Sequence, residues 1–103
     1  MSEYRNLERR ASASLDAVTP VKLFTSRTSG SKGWRLYNPS ATVSILFKCQ
    51  KAGTAAPTYA EMVAGQNTYR VNPYATVEDA GAECDVYAAV TSGTLTVYPE
   101  ELF

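Results

Sequence analysis

The chain has 103 residues, with ten Lys or Arg balanced by ten Asp or Glu, and no histidine. That length fits one domain with one hydrophobic core, and the missing imidazole removes the commonest general base, the commonest zinc ligand and every triad built on it. No apolar run approaches the roughly 20 residues that span a bilayer, and the charged opening MSEYRNLERR is unlike a signal peptide, so the expectation is a soluble protein made in the cytoplasm, with no membrane partner. Seven Tyr, six Gly and five Pro, set among many Thr and Val, favour strands joined by turns.

Residues 1–17 mix charge with Ser and Ala and hold only Leu7 and Leu15 as large aliphatic residues. They read as an N-terminal arm ahead of a β domain over residues 18–103. Tyr4, Leu7 and Ala11 stand at i, i+3 and i+7, so a marginal amphipathic helix would form once a partner covered that face; disorder in the free protein fits equally well. From Val18 the pattern turns to strands, with Val21 and Leu23 opposed to Lys22 and Phe24. The run TSRTSGSKG, residues 25–33, predicts a loop or hairpin tip that holds Arg27 and Lys32 in solvent.

In GWRLYNPS, Trp34 and Leu36 share one face and Arg35 and Tyr37 the other, and Asn38-Pro39 ends the strand. TVSILFKC puts Val43, Ile45, Phe47 and Cys49 on one face of a half-buried central strand, opposite Ser44, Leu46 and Lys48. TYAEMVAG fits either a short helix or an irregular strand, since Tyr59, Met62 and Val63 lie at i, i+3 and i+4. TYRVNP repeats the earlier strand-and-stop arrangement, with Tyr69 and Val71 inward, Arg70 outward and Asn72-Pro73 as the stop. CDVYAAV places Cys84, Val86, Ala88 and Val90 inward with Asp85 and Tyr87 outward. It turns through Ser92-Gly93 to pair, as a hairpin, with a last strand carrying Leu95 and Val97. About six to eight short strands at this spacing predict an all-β domain: a small antiparallel β-sandwich or partly open barrel with an extended N-terminal arm.

Candidate chemistry is sparse. Cys49 and Cys84 lack the spacing of a metal knuckle or redox pair and read as buried thiols, or as a cross-strand disulfide if their strands are neighbours. Glu78, Asp79, Glu83 and Asp85 form either a solvated acidic loop or a set of oxygen ligands for Ca²⁺, but without EF-hand spacing. No cofactor and no catalytic residue is expected. Tyr37, Tyr59, Tyr74, Tyr87 and Tyr98 read as outward rings, suited to sugar stacking or interface anchoring as well as to ordinary cross-strand pairing. Basic residues are scattered instead of forming one aromatic-interleaved run, so no nucleic-acid partner is expected. Residues 1–51 hold nine bases and three acids, and residues 52–103 one base and seven acids. Such a division either steers a head-to-tail contact or is cancelled where strands of the two halves interleave.

The segments VTPVKLF, GWRLYNPSATVSILFKC, QNTYRVNPYATVEDAG and CDVYAAVTSGTLTVYPEE resemble small β-sandwich virion proteins of tailed bacteriophages. In that group a strand ending in Asn-Pro precedes a V-x-hydrophobic strand, and a D-V/I-Y-A-x-x-x-x-G-T-x-x-V hairpin closes the fold, matched here by Asp85 to Ala88 and Gly93 to Val97. The likeness spans residues 18–101 and leaves out the arm, and the group's frequent Pro-Gly is replaced by Asn72-Pro73. It implies a non-enzymatic virion protein, first a capsid decoration or cement protein bound across neighbouring major capsid subunits, and second a head-fibre base or tail component. It implies location in the virion and a homo-oligomer, commonly a trimer. The arm residues Tyr4, Arg5, Leu7, Arg9 and Arg10 would then grip the shell or a sister subunit, with Arg27 and Lys32 as a loop contact. A carbohydrate-binding module using the exposed tyrosines is the rival of another class.

Overall fold

Two strands, β5 (Ile45–Lys51) and β8 (Cys84–Val90), each seven residues long, run antiparallel as the spine of one sheet. The structure is a computed structural model that describes residues 7–9, 11–24, 33–51, 53–65, 68–79 and 84–102. β3 (Val21–Phe24) pairs with the free side of β8, and β6 (Thr68–Val71) with that of β5, giving the order β3-β8-β5-β6. A second four-stranded antiparallel sheet has the order β1-β10-β4-β7, from β1 (Leu7–Arg9), β10 (Glu100–Leu102), β4 (Gly33–Tyr37) and β7 (Thr76–Asp79). β2 (Ala13–Asp16) and β9 (Thr94–Val97) form a two-stranded ribbon. The domain is therefore all-β and sandwich-like, with ten strands and one short helix among the described residues. It exceeds the expected strand number because two strands form within residues 7–16.

Period-two alternation explains the core. Trp34 and Leu36 from β4 meet Ile45 and Phe47 from β5 and Val86, Ala88 and Val90 from β8, with Leu15 and Val97 entering from the ribbon. Trp34 links the sheets: its ring stacks on Phe24 at 5.2 Å and meets the edge of Phe47 at 5.4 Å. Offset and edge-on geometries of this kind add roughly 0.5–1.5 kcal/mol per pair beyond the area they bury.

Several expectations are corrected. Residues 13–16 are not part of an arm, because Leu15 is fully buried and β2 pairs residue by residue with β9. An amphipathic helix through Leu7 is replaced by β1, whose backbone pairs with β10. β8 and β9 do not pair as a hairpin: β8 already has β3 and β5 on its two sides, so the Ser92-Gly93 bend carries the chain across to the ribbon. Phe24 is buried although strict alternation put it outward. The register shifts between Lys22 and Phe24, so that Val21 faces Ala88 and Phe24 faces Val86; one extra residue in a bulged strand returns the next side chain to the same face.

The departures at Asp85 and Tyr87 share one cause. Thr58 caps α1 (Tyr59–Val63) in a capping box with Glu61, which resolves TYAEMVAG as a helix. Glu61 N donates to Thr58 Oγ1 at 3.1 Å and Thr58 N donates to Glu61 Oε1 at 2.8 Å, so two donors orphaned at a helix start are satisfied. Met62 then packs on Leu46 and Ala89, the Tyr59 hydroxyl donates to Val90 O at 2.9 Å, and Gln50 Nε2 donates to Ala55 O at 3.0 Å. This cover buries Tyr87 and Asp85, both expected outward, and Lys22 Nζ lies 3.7 Å from the Asp85 carboxylate. Tyr69 does face inward, its ring stacked on Phe47 at 5.5 Å, but it stays exposed because β6 is the edge of its sheet.

Candidate binding face

With the outer side of the β5–β8 sheet occupied by α1 and the stretch before it, the two sheets are unequal. The outer side of the β4 sheet presents Arg35, Tyr37, Thr76, Glu78, Tyr98 and Glu100, each exposed or half-buried. Alternation fixes that set: the neighbours Trp34, Leu36 and Val97 go to the core, so the residues between them must face away. Tyr37, Pro39, Tyr98 and Glu100 line a shallow groove of about 200 Å³. Tyr37 is 45% exposed and Tyr98 54%.

Beside the groove, Arg35 Nε donates to Glu78 Oε2 at 2.7 Å, and Arg35 Nη1 lies 3.9 Å from Glu100 Oε1. One cation thus sits between two carboxylates and leaves the patch acidic. These bonds join the basic half of the chain to the acidic half, as does Lys22 with Asp85, because β4 lies between β10 and β7. The charge division seen along the sequence is mixed by interleaving.

Of the residues assigned a partner role from sequence, Tyr4, Arg5, Arg10, Arg27 and Lys32 lie outside the described residues. Leu7 and Arg9 belong to β1, whose backbone pairs with Leu102 and Glu100 respectively. Within the acidic loop, Glu78 points to the outer side of one sheet and Asp85 to the outer side of the other, and Glu83 lies outside the described residues. No group of three metal-ligating side chains occurs among the described residues. Cys49 and Cys84 are half-buried thiols on the neighbouring strands β5 and β8, with Cys49 opposite Val86 and Cys84 opposite Lys51. The sequence singled out Tyr37 and Tyr98 as outward rings; that they share one groove depends on the pairing of β10 with β4, which no local signal reveals. Compared with known proteins, the chain matches no family model, no curated protein and no solved structure.

Proposed function

We propose that this chain is a non-enzymatic assembly module that docks, through the outer side of the β4 sheet, on the shell of a virion as a decoration or cement protein. The observation that carries the docking part is the inequality of the two sheets: one carries α1 and the stretch before it on its outer side, and the other offers two half-exposed tyrosines around a groove. Tyrosine supplies rigid apolar area with a polar tip, the combination that anchors interfaces. The sequence resemblance over residues 18–101 supports the shell as partner, and a symmetric shell multiplies individually weak contacts. Fold alone does not carry function, so the test is direct. Where a major capsid gene is found beside its reading frame, purified protein is added to shells assembled from that gene's product, and binding is read by co-sedimentation. Saturable binding is expected, lost at least tenfold in Tyr37→Ala/Tyr98→Ala with an unchanged circular dichroism spectrum. A wild-type protein that stays in the supernatant refutes the reading.

The pairing of Tyr37 and Tyr98 with the Glu100 carboxylate in one groove also favours a second reading, a carbohydrate-binding module. Ring faces stack on sugar C–H groups while a carboxylate accepts from sugar hydroxyls. Binding on a glycan array that disappears with Tyr98→Ala would select it over shell docking.

A further inference from the structure

The indole N–H of Trp34 is buried and has no hydrogen-bond partner. Buried donors without an acceptor are rare in native folds, and each one calls for an explanation. Trp34 also lines a cleft of about 270 Å³, together with Phe47, Cys49, Tyr69, Val77 and Glu78. The cleft opens where β6, the edge of one sheet, meets β7, the edge of the other. Its wall is mostly ring and aliphatic surface: Phe47 stands edge-on to Trp34, and Tyr69 stacks on Phe47.

We propose that this cleft is a binding site for a neutral, single-ring molecule bearing one carbonyl-type acceptor, which the Trp34 indole N–H receives. The size argument comes first: engineered apolar cavities of roughly 150 Å³ already accept benzene, and this cleft is larger. Chemistry narrows the class further. Aromatic walls favour a flat, neutral apolar body over an ion, and the orphan donor requires an acceptor. Nε1 is screened from water in the structure, so the acceptor reaches it as a wall side chain swings aside. Tyr69 has that freedom, being 58% exposed on an edge strand.

The chain contains a single Trp, so its indole N–H resonance and its fluorescence both report on this site alone. Acetophenone and ethylbenzene are the probes: similar in shape, only the first has an acceptor. Hydrophobic transfer alone favours ethylbenzene, the more apolar of the two. The site reverses that order, with acetophenone tighter by about fivefold, the worth of one net hydrogen bond, and with the Trp34 N–H resonance displaced by acetophenone only. In Trp34→Phe, which keeps the stacked ring and removes the donor, ethylbenzene regains preference. Should that variant fail to fold, the wild-type comparison decides by itself. Equal or tighter binding of ethylbenzene, an indole resonance unmoved by acetophenone, or binding of neither probe overturns the proposal.

Discussion

Asn38 donates through Nδ2 to the carbonyl oxygen of Val71 at 3.0 Å, a bond across 33 positions of sequence that ties the end of β4 to the end of β6. The same amide donates to Val43 O at 2.9 Å, its Oδ1 accepts from Ser40 N at 2.9 Å, and the Asn38 backbone N–H donates to Ala75 O at 2.9 Å. Fully buried, the side chain satisfies polar groups of both sheets where the chain turns out of each. Asn38→Ala would strand two carbonyl oxygens, at about 1–3 kcal/mol for each group left unsatisfied. A destabilisation of about 3 kcal/mol is expected by urea unfolding. Asn38→Asp is expected to cost more than Ala at neutral pH, because it sets a carboxylate against two carbonyl oxygens.

Leu15 fills the core from β2, which pairs along its length with β9. Removing its side chain in Leu15→Ala is expected to cost about 2–5 kcal/mol by the same measurement. Deletion of residues 1–17 takes away the only partner that β9 has among the described strands. Cooperative thermal unfolding should then be lost, whereas the reading of these residues as an arm expects it to survive.

Two exposed carboxylates set an acid-side dependence. Glu61 is held below the usual carboxylate range by the Thr58 backbone N–H, helped by the Thr58 side chain, and Asp16 by the backbone N–H groups of Thr19 and Val18. Groups depressed in the folded state bind their protons more readily once the chain unfolds, so their contribution is present above the ordinary carboxylate range and fades as pH falls through the folded values. Glu61→Gln and Asp16→Asn keep acceptors in place and remove the titration. The double variant is expected to lose stability less steeply below the carboxylate range than the wild type, read as thermal midpoint against pH; parallel curves would contradict this.

Gly93, with φ +67°, makes the bend between β8 and β9, and a Cβ added there would meet open space. Any cost of Gly93→Ala is therefore backbone strain, about 1 kcal/mol for a left-handed residue. Gly93→Asn should cost less, since Asn tolerates that region. Chevron or equilibrium midpoints for the pair test the order.

Much of the fold was legible from local pattern. Alternation in GWRLY and SILFKC assigned Trp34, Leu36, Ile45 and Phe47 to the core and Tyr37 to the outside, as found. It failed where a second layer covers a strand: Tyr87 and Asp85 have the period of outward residues, but α1 and the preceding stretch lie over that part of the sheet. It failed at Phe24, where a bulge shifts the phase, and at Leu15, whose short strand borrows its partner from the far end of the chain.

What the sequence determined by itself is the residue-by-residue alternation, the turns at Asn38-Pro39 and Asn72-Pro73, and the absence of histidine chemistry, all properties set within a few bonds of each residue. Only the tertiary structure decided which edges meet. It placed β4 between the distant strands β10 and β7, joined Tyr37 to Tyr98 in one groove, and left the Trp34 N–H facing no acceptor. Strand partners are chosen by burial and backbone hydrogen bonding summed over the whole sheet, and that sum has no local signature in the chain.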